Sequence, residues 1–198
     1  MELAAVGMST TMITVVLTVL FAVVATALAS YFVGLYNELT ALQNDCDRQF
    51  ANVDALLKQR HDELPKLIDT CKGYMQYEQK TLQGVTDARA AYLNAKTPEQ
   101  RTQADSRISG TLKTLFAVAE NYPDLKANID FIQLQSRISG LEAQIAARRA
   151  AYNEAANAYN IRVAQVPANL VAALGRFASR PMFPVAESDR EGVKVSLA

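Results

Sequence analysis

The sequence predicts an all-α protein in which an N-terminal transmembrane helix continues into an antiparallel, up-down-up-down four-helix bundle. Three observations carry that prediction. No charged side chain occurs from Leu3 to Asn37. Beyond that run, apolar residues recur every three or four positions, the period of a helix with one buried face. Nothing reads as a strand, and the middle of the chain is dominated by Leu, Ala, Gln, Glu and Arg, residues that favour helix.

Composition narrows the function classes. The 198 residues carry 20 Lys+Arg and 20 Asp+Glu, a length that suits one domain plus accessories. Both signs are spread along the chain, so the basic footprint of a nucleic-acid binder is missing and no nucleic-acid partner is expected.

The elements follow in order. A short head, residues 1–10, has no Lys or Arg. The transmembrane helix covers 11–34. Its core "MITVVLTVLFAVVATALASYFV" (Met12–Val33) rises about 33 Å as a helix, enough to cross the hydrocarbon layer. "ALAS" (Ala27–Ser30) looks like a signal-peptide cleavage site. The lack of Lys or Arg in the head and the length of the apolar run favour a permanent single-span anchor instead. Arg48, Lys58 and Arg60 follow the span and no basic residue precedes it, which puts the helical domain on the cytoplasmic side. Two cysteines without an evident partner fit a reducing compartment.

Within the span, Thr10, Thr14, Thr18, Ala22, Thr26, Ser30 and Gly34 recur every fourth residue. Small residues at that spacing let two membrane helices approach closely, so the row from Thr14 to Gly34 is a candidate contact in a homo-oligomer. The competing reading is that Ala and Thr are simply common in membrane helices.

The bundle is expected over 35–166. Leu35, Leu39, Leu42, Cys46, Phe50, Val53 and Leu57 continue the first helix out of the membrane to about Arg60. "RHDELP" then supplies a turn, with Asp62 as a cap and Pro65 in the first turn of the next helix. The second seam runs Leu64, Leu67, Ile68, Cys71, Met75, Leu82, Val85 and Tyr92. "KTPEQ" has the form of a capping box, with Thr97 as N-cap, Pro98 first and Gln100 third. The third seam is Ile108, Leu112, Leu115, Phe116 and Ala119. In the fourth helix Phe131, Ile138, Ile145, Tyr152, Tyr159 and Val166 fall seven apart, a coiled-coil-like seam on a helix about 57 Å long if unbroken.

Short connections between long helices make them antiparallel neighbours. On that topology "QRHDELP" and "AENYPDLKAN" meet at the end far from the membrane. Arg60, His61, Asp62, Glu63, Glu120, Asn121, Tyr122, Asp124 and Lys126 then form a polar end. Pro123 breaks the chain there, and Asn121 or Asn128 can cap the restarting helix. That accounts for a corner; the remaining charges leave open a surface for an unidentified partner protein. The tail, 167–198, carries Leu170, Val171, Leu174, Phe177, Met182 and Phe183 with Arg176 and Arg180. This mix suits contact with membrane lipid or docking on the bundle or a neighbouring subunit. Glu187–Ala198 reads as a disordered end.

Catalytic signals are weak. On a hairpin turning near Asp62, Cys46 and Cys71 lie on the order of 10 Å apart along the axis, too far for a disulfide. His61 with nearby carboxylates falls short of a zinc ligand set. No Ser-His-Asp order, glycine-rich phosphate loop, H-E-x-x-H or C-x-x-C is present. No enzyme activity, cofactor or metal is expected. Glu78 and Arg148 continue apolar seams, and either pair with each other or extend their charges to water along apolar stems.

Three stretches together, "YNELTALQNDCDRQFANVDALLKQRHDELPKLIDTCKGY" (Tyr36–Tyr74), "LFAVAENYPDLKAN" (Leu115–Asn128) and "ARRAAYNEAANAYNIRVAQVPANLVA" (Ala147–Ala172), resemble the LemA family of bacterial membrane-anchored proteins. With the anchor, the resemblance covers the chain to about Pro184. It implies a single span at the bacterial inner membrane and an antiparallel helical bundle. It implies no enzymatic role; related proteins occur in magnetosome formation. Cys46 and Cys71 stand where the family more often has an apolar residue such as Val. The resulting expectation is a membrane-anchored helical scaffold that oligomerises, with a monomeric adaptor or sensor using the distal loops as the alternative.

Overall fold

In a computed structural model the chain is described over residues 2–184, and the side chains of residues 2–11, 98 and 99 are outside that description. Thr10 in the small-residue row and the end Glu187–Ala198 therefore fall outside the described side chains. Among the described residues the regular elements are all helices: α1 (Glu2–Lys72), α2 (Gln79–Asn94), α3 (Pro98–Ala119), α4 (Pro123–Lys126), α5 (Ile129–Ala164) and α6 (Ala168–Gly175). The protein is all-α, and its long N-terminal helix packs with later helices in an antiparallel arrangement.

The chain divides into two compact units. One comprises Met1–Cys46 and Ala156–Arg180, the other Asp47–Ala155 and Pro181–Ala198. In the second, α1 runs against α5 in reverse, with Phe50 meeting Tyr152, Arg60 meeting Glu142 and Glu63 meeting Arg137. Helices α3 and α5 are also antiparallel, Ser109 facing Glu142 and Phe116 facing Phe131. The core between them includes Leu64, Leu67, Cys71, Met75, Leu82, Val85, Ile108, Leu112, Leu115, Phe131 and Ile138.

The first turn differs from expectation. No break forms at "RHDELP"; α1 continues through Pro65 to Lys72. A proline inside a helix costs about 3 kcal/mol, because it removes one backbone hydrogen bond and crowds the carbonyl four residues back. The seam Leu57, Leu64, Leu67, Ile68, Cys71 runs straight through the proline, and every member is buried. Burying each such side chain contributes about 1.5–3 kcal/mol, so the continuous stripe outweighs one misfit proline. The chain reverses at Gly73–Glu78 instead, where Met75 plugs the end of the core and its N–H donates to the Cys71 carbonyl (2.9 Å). Both cysteines are buried and not joined in a disulfide, and they lie on one helix, 25 positions apart and about 37 Å by helix rise.

The later boundaries follow local chemistry. The capping box at α3 forms: the Gln100 N–H donates to Thr97 Oγ1 (3.2 Å) and Gln100 Oε1 accepts from the Thr97 N–H (3.4 Å). Asn128 caps α5, its Oδ1 accepting from the Phe131 N–H (3.0 Å). Helix α5 ends at Ala164, so Val166, the last member of the heptad row, is 78% exposed.

In the first unit, α1 exposes every side chain from Met12 to Gly34. This is the one helix among the described residues long and apolar enough to cross a membrane. Past it, Leu35 and Leu39 pack with Ala168, Val171 and Ala172 of α6, and Arg162 pairs with Glu38 (2.6 Å).

Candidate functional site

The feature with the most chemistry is a buried ionic cluster in the second unit. Arg60, 1% exposed, reaches from α1 to Asp105 on α3 and Glu142 on α5. Its Nη1 also donates to Ser109 Oγ (3.0 Å), which in turn donates to Glu142. Asp105 is fully buried and pairs with a second guanidinium, Arg149 of α5. Burial and the Arg60 charge push the Arg149 pKa down to about 10. Isolated charges here would be untenable; three helices supply the opposite charges that make burial tolerable.

Beside this cluster lies a cavity of about 250 Å3 whose lining includes Phe50, Val53, Leu57, Tyr152, Met182 and Phe183. Its cover is the strap after α6. Tyr152 Oη donates to the Pro181 carbonyl (2.9 Å), and Asn153 holds Phe183 by two bonds, Nδ2–H to its carbonyl and Oδ1 from its N–H (3.0 and 2.8 Å). Phe183 stacks on Phe50 and lies 5.1 Å under the Arg149 guanidinium. In the first unit Asn160 holds the Arg180 backbone by the same pair of bonds, both 2.8 Å. Sequence reasoning missed these clamps. Their signal was the dipeptide Tyr-Asn repeated seven residues apart, Tyr152–Asn153 and Tyr159–Asn160.

The polar end is assembled differently from the expected surface. Because α1 continues, Arg60, His61 and Glu63 sit in the helical body, all buried. Glu63 pairs with Lys66 and Arg137. His61 lies against Tyr92, and burial, then the Arg89 charge, lower its pKa against the pull of Asp62. Only Asp62 of that group is exposed. Of Glu120, Asn121, Tyr122, Asp124 and Lys126, it is Tyr122 that meets the Gly73–Glu78 turn. There Tyr122 Oη donates to Glu78 (3.3 Å) and Asn128 Nδ2 to Tyr74 Oη (3.1 Å), while Glu120 and Lys126 pair with each other. Glu78 therefore has Tyr122 as its partner and not Arg148, which is exposed; the half-buried seam arginine is its neighbour Arg149.

In the span, Thr18, Thr26 and Ser30 donate their hydroxyls to the Val15, Ala22 and Thr26 carbonyls of their own helix, so these groups are satisfied without a neighbour. A Cβ on Gly34 would touch nothing. In the tail, Val171 and Phe177 pack in the first unit and Phe183 in the second, whereas Leu170, Leu174 and Met182 are 57%, 87% and 52% exposed. Among the described residues no group of three or more His, Cys, Asp or Glu is placed to hold a metal ion.

Fold and site together define an all-helical bundle protein with one apolar helix of membrane-spanning length. The LemA family model matches residues 49–197, and the chain belongs to the LemA family. It is 33% identical over 170 residues to Protein LemA of Metamycoplasma hominis, covering 83% of this chain and 76% of that protein. It is also 34% identical over 74 residues to the magnetosome proteins MamQ 1 and MamQ 2 of Paramagnetospirillum magneticum. That match covers 37% of this chain and only 27% of either magnetosome protein.

Proposed function

We propose that this chain is a non-enzymatic membrane-anchored scaffold that assembles with copies of itself and organises proteins or lipid at the bacterial inner membrane, with its helical domain in the cytoplasm. The supporting observation is the surface of α1. From Met12 to Gly34 no side chain is covered by the rest of the chain, and an apolar surface of that length requires lipid or another helix around it. Ala22 and Gly34 belong to the small-residue row, whose members would let a second helix approach closely. Leu170 and Leu174, exposed one turn apart on α6, add a lipid-facing edge. Two of the relatives are by name magnetosome proteins, in keeping with an organising role.

The test is the mass of the full chain in mild detergent, beside Ala22→Ile and Gly34→Ile. A defined multimer that dissociates in these variants is expected. A monomer at every concentration overturns the scaffold.

A monomeric adaptor is the second reading, favoured by the turn end of the second unit. Tyr77 is 94% exposed and Ile129 70% exposed there, beside the Tyr74–Asn128 bond. If the chain is monomeric, Tyr77→Ser and Ile129→Ser are the variants expected to lose a protein partner.

A further inference from the structure

The scaffold role makes no use of the cavity beside the ionic cluster. At about 250 Å3 it lies just below the roughly 300–1,000 Å3 of drug-sized ligand sites, so an occupant must be small. Its walls are mostly hydrocarbon and aromatic ring: Phe50, Val53 and Leu57 of α1, Tyr152 of α5, Met182 and Phe183 of the strap. Four charged residues interrupt them, Asp54, Arg101, Asp105 and Arg149.

Those charges are not equivalent. Asp105 is fully buried and already engaged by two guanidinium groups, Arg60 and Arg149. Asp54 and Arg101 are exposed, where water screens them. Arg149 keeps 23% of its side chain exposed, shares its carboxylate partner Asp105 with Arg60, and has a buried Nε with no acceptor. Glu142, the other carboxylate of the cluster, pairs with Arg60 and Ser109. An entering cation would meet the Arg149 charge, since Asp105 and Glu142 are already engaged and Asp54, the remaining lining carboxylate, is exposed to water. An entering anion would meet an under-neutralised guanidinium in a poorly hydrated site, where such a contact is strongest.

We propose that this cavity binds a small amphiphilic monoanion of the medium-chain carboxylate class, its carboxylate on Arg149 with Arg101 flanking and its hydrocarbon chain against Phe50, Val53, Leu57 and Met182. The strap encloses the occupant, since its backbone is pinned by Tyr152 and Asn153 while its side chains form the cavity wall.

Methionine-methyl NMR of the full chain in lipid nanodiscs tests this with octanoate as the probe. Met182 lines the cavity, Met75 reports the distant core and Met12 the membrane span. Octanoate is expected to shift the Met182 methyl saturably and leave Met75 unmoved. Octan-1-ol and octyltrimethylammonium, with similar chains and no negative charge, should bind at least tenfold more weakly. Arg149→Gln should weaken octanoate by tenfold or more. Should that variant fail to fold, the exposed Arg101→Gln is expected to weaken it a few-fold. The proposal is overturned if Met182 shows no saturable shift, if Met182 and Met12 move together in proportion to added probe, or if octanol and octanoate bind alike.

Discussion

Two groups of charges looked interchangeable in the sequence, Arg60–Glu63 and Glu120–Lys126, and the structure gives them opposite surroundings. Arg60 and its partner Asp105 are 1% and 0% exposed, whereas Glu120 and Lys126 keep 59% and 46% of their side chains in water. Attraction between unlike charges is common to both. What differs is the alternative open to each partner when the contact breaks: water for the corner pair, and a dry interior for the buried one. Surface pairs therefore contribute about 0–1 kcal/mol, while removing one member of a buried pair costs about 3–5 kcal/mol.

The largest expected effect is at Asp105. Asp105→Ala leaves Arg60 and Arg149 facing each other without the carboxylate they share, and should lower unfolding free energy by about 3–5 kcal/mol. Chemical denaturation of the full chain in detergent measures it. Combining Arg60→Met with Asp105→Leu should cost less than the sum of the two single changes, because it removes both members of the fully buried pair and leaves only the part-exposed Arg149 and Glu142 without that partner. Additive losses would mean the two residues do not act as a pair.

An intermediate effect is expected where a polar group is only half-buried. Asn153→Ala removes both bonds to the Phe183 backbone and should cost about 1–2 kcal/mol. Faster proteolysis of the strap than of the helices would report it. Comparable protection in the variant would show that ring stacking on Phe50, and not the asparagine, holds the strap.

His61 sharpens the comparison by making burial depend on pH. Burial and the Arg89 charge hold its folded pKa below the ordinary value, near 6.5 in an unfolded chain. The neutral ring is favoured in the fold, so its contribution is intact above about pH 6.5 and is lost as pH falls through the folded pKa. Thermal midpoints should drop between pH 7.5 and 5.5, and His61→Gln should flatten part of that slope. An unchanged slope would place the acid sensitivity elsewhere.

Much of this architecture is legible before any coordinates. The heptad row from Phe131 to Tyr159 is buried throughout, because a single apolar period leaves a long helix one way to cover its face. Pro65 misled because a residue-level rule competed with a stripe of five buried neighbours, and a proline's cost is smaller than what that stripe contributes. The ionic cluster was partly readable. Arg60 falls between Leu57 and Leu64, Asp105 three before Ile108, Glu142 three before Ile145, and Arg149 three before Tyr152, so all four occupy seam positions. Arg148, the other arginine near that seam, sends its charge to water, because one residue rotates a side chain about 100° around its helix. The strap leaves only the Tyr-Asn repeat as a trace in the sequence, since its partners are side-chain amides bonding to backbone, which leave no apolar period behind.

The smallest expected effect is at the exposed corner. Lys126→Ala breaks the pair with Glu120, but both groups regain water, so stability should change by less than about 0.5 kcal/mol. That small effect is what makes the substitution informative. The same corner keeps Tyr122 on Glu78 and Asn128 at the start of α5, contacts Lys126 does not touch, so its fold survives the change. Any partner that reads the corner electrostatically should then bind more weakly to Lys126→Ala at unchanged thermal midpoint, and the difference should fade as salt is raised. A midpoint shift as large as that of Asp105→Ala would instead mean that exposure does not set the strength of these two pairs, and the contrast between them would fail.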